Sequence, residues 1–173
     1  MKKIIDIAPE GYRIILYTSF VWILFYLLSI YFEYSWIELA SAYLFYVLLI
    51  VCYFFRDPIR DVISNNDNFL SPADGKIVSI ESFEDVDLGK SIKIAIFLSF
   101  FNVHRQWIPL NAKVIDSNYN PGKFFGAFKD KASEKNEQTS ILFCDYNENL
   151  FKIKQIAGFV ARRIVNHMNP DLN

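Results

Sequence analysis

Two long uncharged runs near the start of the chain decide most of what it can fold into. Ile14 to Phe32 (IILYTSFVWILFYLLSIYF) holds 19 residues without a charge, and Leu39 to Phe55 (LASAYLFYVLLIVCYFF) another 17. Crossing the hydrocarbon of a bilayer takes about 20 apolar residues, within a range of roughly 17 to 25. A helix packed in a soluble core normally keeps a polar face, and neither run has one. The pair reads as a transmembrane helical hairpin. A cleaved signal peptide fits poorly, because a second run follows at once with no small-residue cleavage site between them.

The flanking charges orient that hairpin. Lys2, Lys3 and Arg13 precede the first run, Arg56 and Arg60 follow the second, and the six-residue connection EYSWIE carries two glutamates and no Lys or Arg. Positive charge collects on the cytoplasmic side, which places both ends inside and the connection outside. The chain divides accordingly into an anchor, residues 1–55, and a cytoplasmic domain, residues 56–173.

The cytoplasmic domain reads as mainly β. Lys76 to Phe83 alternates after an Asp-Gly turn. Ser91 to Phe100 begins alternating and ends as an apolar run, the pattern of a strand buried on both faces. Ala112 to Ser117, Thr139 to Tyr146 and Leu150 to Ile156 are further strands, the last two joined by Asn147–Asn149 as a hairpin. KDKASEKNEQ is a charged loop, and Gly158 to Met168 the one expected helix or strand-to-helix passage. Short strands between turns favour a sandwich or barrel over a βαβ sheet.

Charge and cysteine narrow the function. Residues 56–173 hold 15 Lys or Arg against 15 Asp or Glu, so no electrostatic footprint for nucleic acid exists. Cys52 and Cys144 read as buried small hydrophobes; without a CxxC or a Cys/His cluster, neither a disulfide framework nor a metal site is supported. The glycines of PGKFFGAFK match no phosphate-binding loop, leaving turn geometry as their role.

The groups able to do chemistry are few. His104 and His167 are the only histidines. His104 ends a strongly apolar stretch in FNVHRQWIP, where scaffolds often present reactive groups; a satisfied rim histidine is the plainer reading. His167 lies in a polar tail and reads as solvated. Asp74 in SPADG suits a turn, and paired with His104 it would give the carboxylate–imidazole part of a triad. Arg162 and Arg163 could meet a carboxylate or phosphate, or simply form a solvated face.

Taken in order, FFRDPIR, SPADGKIV, FLSFFNVHRQWIP, PGKF, KASEKNEQ and IAGFVARRI resemble the phosphatidylserine decarboxylase family in its short, membrane-tethered form. The resemblance covers nearly everything from Arg56 onward. It implies a fold akin to hybrid barrel-sandwich domains, and a pyruvoyl enzyme made as a precursor that cuts itself at a Gly-Ser bond. The serine becomes a pyruvoyl group on a small α chain, whose carbonyl forms a Schiff base with phosphatidylserine and accepts the electrons released with carbon dioxide. The product is phosphatidylethanolamine.

By the same resemblance, Asp74 matches the carboxylate supporting the self-cleaving serine, and His104 a histidine associated with decarboxylation. Longer members carry a second histidine where this chain has Trp107, so whether His104 serves both self-cleavage and turnover stays open. Phe100–Phe101 and Phe124–Phe125 could face acyl chains, or pack in the core. The implied partners are a membrane phospholipid, as substrate, and a pyruvoyl-bearing α chain; a homo-oligomer is left open.

One departure stands out. None of the six glycines is followed by serine, so the pyruvoyl-forming serine is absent from this chain. The expectation is a β chain cut short before its cleavage site, inactive alone. The competing class is a membrane-anchored β domain that binds a lipid or protein without catalysis. A third class, a subunit of a larger membrane complex, would need this particular hairpin.

Overall fold

The computed structural model describes residues 5–60, 68–126 and 135–168. The chain forms two compact units. A helical unit comprises Met1–Val62 with Phe101–Arg105, and a β unit comprises Ile63–Phe100 with Gln106–Asn173.

In the helical unit, strand β1 (Ile5–Ile7) pairs antiparallel with β2 (Arg56–Pro58). A 3₁₀ turn at Pro9–Gly11 leads into α1 (Tyr12–Phe32), and α2 (Ser35–Phe54) follows after two residues. At 1.5 Å per residue each helix is about 30 Å long, the thickness of the hydrocarbon. Both are long and apolar enough to cross a membrane. Their apolar side chains point outward: Tyr17 is 69% exposed and Leu39 73%. The helices meet through Trp22 and Phe45, whose rings lie 5.2 Å apart, and through buried Ile37 and Ser41.

The connection is shorter than its charges suggest. Glu33 closes α1 in the left-handed conformation, its N–H bonded to the Ser29 carbonyl, and α2 begins at Ser35 rather than Leu39. Glu38 lies in the first turn of α2, where the positive end of the helix dipole tolerates a carboxylate. A charge there does not keep the helix from starting.

The β unit holds two sheets. Strands β3 (Lys76–Asp85) and β4 (Gly89–Phe97) form an antiparallel hairpin with a bulge between Ile77 and Ser79. Strands β5 (Ala112–Asn120), β6 (Gln138–Asp145) and β7 (Leu150–Ile156) form an antiparallel sheet with β6 at its centre. The core follows β6, whose alternate residues Thr139, Ile141 and Phe143 are buried. Phe143 stacks on Phe151 at 5.0 Å, and Phe151 meets Phe69 edge-on at 5.2 Å.

Asp145 clasps the β6–β7 turn, accepting the N–H groups of Asn147 and Asn149 at 2.8 Å each. Lys152 of β7 pairs with Asp85, and with Asp87 at 2.6 Å. That clamp holds the β3–β4 turn against the larger sheet.

The fold is mainly β with an apolar helix pair, as the sequence indicates; no barrel closes among the described residues. Two local expectations are corrected. Strand β4 ends at Phe97, and its apolar residues are not covered on both faces: Ile92 is 73% exposed, and among the described residues β4 pairs with β3 alone. One face of that hairpin carries Ile77, Ile80, Ile92 and Ile94, the other the Glu81–Lys93 ion pair. Gly158–Met168 is not a helix. Its amides bond elsewhere, Gly158 N–H to the Ala161 carbonyl and Ile164 N–H to the Glu137 carboxylate. Val160, Ile164 and Val165 also weaken helix formation there. Residues 129–134 of the expected charged loop lie outside the described residues.

Candidate functional site

His104 belongs to the helical unit. Its imidazole lies against Phe54, ring centroids 4.3 Å apart, and its Nδ1 is 3.0 Å from the Asn102 carbonyl. A carbonyl can only accept, so Nδ1 carries the hydrogen and Nε2 keeps the lone pair. Burial holds the imidazole below its ordinary pKa; the Asn102 carbonyl opposes this, and the Arg56 charge adds to it. Near neutral pH the ring is therefore uncharged, with Nε2 ready to take a proton.

Asp74 belongs to the β unit, half-buried at the entrance to β3. Two backbone bonds strap its loop: Leu70 N–H to the Pro109 carbonyl at 3.1 Å, and Trp107 N–H to the Pro72 carbonyl at 2.8 Å. Ser71 adds a hydroxyl bond to the Ala73 carbonyl. The following residue must be glycine. Gly75 has φ +133°, and a Cβ there would collide with the Phe97 carbonyl oxygen and stand 3.1 Å from Ile96 Cγ2. The Asp-Gly pair thus makes the turn, and Trp107 helps to fix the loop that presents the carboxylate.

Arg162 and Arg163 come together with Tyr119, Phe124, Glu137 and Ile164 around an open depression of about 410 Å³. Arg162 Nε donates to the Phe159 carbonyl at 3.0 Å, and its guanidinium lies 5.3 Å from the Phe159 ring centre. Loss of solvent raises the pKa of the Tyr119 hydroxyl, as do the charge and hydrogen bond of Glu137, against the pull of Arg163. Two guanidinium groups beside a carboxylate suit a ligand that carries both an anion and an ammonium. His167 is exposed.

One residue that matters was not singled out from the sequence. Asn136 is 1% exposed. Its Oδ1 accepts the Phe125 N–H at 2.9 Å, and its Nδ2 donates to the carbonyls of Phe125 and Ala157 at 2.9 and 2.8 Å. It ties the PGKF stretch to the end of β7. Gly122 lets that happen, since a Cβ there would run into the Asn136–Glu137 peptide. A lone asparagine within a charged loop gives no sign of such a role. Its only signal was membership of the KNEQ stretch.

Residues 47–173 match the family model described as phosphatidylserine decarboxylase. Among relatives, the phosphatidylserine decarboxylase proenzyme of Rickettsia bellii (strain OSU 85-389) is 48% identical over 118 residues, 65% of this chain and 51% of that protein. The Rickettsia africae (strain ESF-5) proenzyme is 47% identical over the same shares. That of Rickettsia typhi (strain ATCC VR-144 / Wilmington) is 44% identical over 124 residues, covering 69% and 54%. The chain spans about half the length of these curated relatives. With a family match running through the loop of Asp74, the segment of His104 and the arginine pair, the chain belongs to the phosphatidylserine decarboxylase family.

Proposed function

We propose that this chain forms the β part of a membrane phosphatidylserine decarboxylase, converting phosphatidylserine to phosphatidylethanolamine and carbon dioxide. Its partner in this reading is a pyruvoyl-bearing α chain. The observation that carries the proposal is the family match over residues 47–173, which takes in Asp74, His104, Arg162 and Arg163 together.

The residues present fit such a group. A neutral, half-buried imidazole with a free Nε2 lone pair is suited to exchanging a proton with a neighbouring reactive centre. When bound, the pyruvoyl carbonyl supplies the electron sink for loss of carbon dioxide. His104 Nε2 would take a proton from the substrate ammonium as that amine condenses, and would return it to the carbon that loses the carboxylate. Asp74 supports the serine during maturation. Arg162 and Arg163 hold the anionic part of the headgroup, with Glu137 facing its ammonium. Helices α1 and α2 span the inner membrane, a reading supported by their outward-pointing apolar side chains, and the β unit lies on the cytoplasmic face, a reading supported by the flanking Lys and Arg residues.

The 173 residues alone should release no carbon dioxide, because they contain no Gly-Ser pair. The same observation favours the second reading, a membrane-anchored β domain that binds lipid or a partner without catalysis. Extending this chain in frame with the C-terminal segment of a Rickettsia relative, Gly-Ser bond included, separates the two. Phosphatidylethanolamine formation abolished by Asp74→Ala and His104→Ala supports the enzyme. No product from the extended parent chain, or formation indifferent to both substitutions, supports the binding domain.

A further inference from the structure

The segment 101–105 is pinned at both ends to the exit of α2. At one end, the Phe101 carbonyl receives Arg56 Nη2 at 2.6 Å and the Tyr53 hydroxyl at 3.3 Å. The Arg56 guanidinium also donates Nη1 to the Tyr53 carbonyl at 2.7 Å and lies 3.8 Å over the Tyr53 ring. At the other end, Arg105 Nη1 meets Asp57 Oδ2 at 2.8 Å. Between these ties Val103 is 3% exposed, and the His104 ring rests on Phe54.

We propose that the last turn of α2 and the strand after it are a seat for His104, in which Phe54 and Arg56 are positioning residues. The proposal rests on the reading of His104 given above. It makes the hairpin a part of the reaction centre and not only a tether. Where α2 crosses a bilayer, its final turn emerges at the headgroups, and the seat holds Nε2 at that level. The planar fork of Arg56 reaches the two carbonyls from two separate nitrogens held in one rigid plane, a spacing that the single nitrogen of an ammonium does not reproduce. Among the described residues, the charged and titratable groups of the seat include Arg56, Arg105, Asp57 and Tyr53, with Asp6 of β1 opposite Asp57 in the register.

The test reads the imidazole itself. With only two histidines in the chain, ¹⁵N-histidine spectra of the 173-residue protein in lipid nanodiscs resolve both, and His167→Gln assigns them. His104 is expected to show the Nδ1–H tautomer and a ring-current shift from Phe54. In Phe54→Leu the ring-current shift disappears. In Arg56→Gln the His104 titration moves upward, and in Arg56→Lys it moves less, while His167 stays unchanged in all three. Unchanged His104 signals in Phe54→Leu and Arg56→Gln overturn the seat.

Turnover in the chain extended with the Gly-Ser segment of a Rickettsia relative adds a second readout. Misplacing a catalytic group by about 1 Å can cost on the order of a hundredfold, so Arg56→Gln should lower kcat by roughly tenfold or more with KM held. If the spectra shift while His104→Gln still turns over normally, the seat stands and the catalytic reading of His104 falls.

Discussion

Gly75 shows how far a single residue constrains the site. Its φ of +133° and the closeness of the Phe97 backbone exclude any side chain, and backbone strain of this kind costs about 1–3 kcal/mol. Gly75→Ala should therefore lower stability by about 2 kcal/mol or more, read as a shifted thermal midpoint in detergent, and should disturb the loop carrying Asp74. Asn136→Ala takes away the side-chain partner of the Phe125 backbone and of the buried Ala157 carbonyl. Each buried group left unpaired costs about 1–3 kcal/mol, so this change should be among the most damaging outside the candidate site. The Asp-Gly turn was legible because its residue types name their own geometry. The surroundings of His104 were not, because Phe54 and Arg56 lie about fifty positions earlier and periodicity carries no sign of such a meeting.

At the scale of elements, hydropathy identified both helices and alternation most of the strands. The misreadings share a cause, since local pattern reports what a segment prefers and not what it pairs with. An apolar run in β4 predicts burial, yet Ile92 and Ile94 stay exposed. A helical-looking Gly158–Met168 gives its amide hydrogens to Glu137 and neighbouring carbonyls instead. The clamp from Lys152 to Asp85 and Asp87 offers a test at this level. The Lys152 hydrogen bond holds the Asp85 carboxyl below its ordinary pKa, against the cost of burial. A depressed carboxyl contributes stability above its unfolded pKa and loses it as pH falls through the lower folded value. Lys152→Ala should cost about 1 kcal/mol at pH 7, and the gap between variant and parent should close as the pH drops below about 4. Thermal midpoints measured against pH check both statements.

For the whole molecule, a helix pair of membrane length and a β unit agree with a reaction on a lipid headgroup. The family was legible from six motifs in order, whereas topology and side-chain partners came only from the fold. The lowered pKa of His104 sets one expectation for the assembled enzyme. If Nε2 must first accept a proton, the step needs the neutral ring. Its rate should be level through pH 7 and fall only on the acid side of the ordinary histidine value of about 6.5. The most direct measurement is phosphatidylethanolamine formed from phosphatidylserine in liposomes by this chain extended in frame with the Gly-Ser segment of a Rickettsia relative, parent against His104→Gln. Proton transfer by a placed side chain contributes about 10² to 10⁴-fold, so the account predicts robust product from the parent and a loss of at least about a hundredfold in the variant. Equal product from both would contradict it.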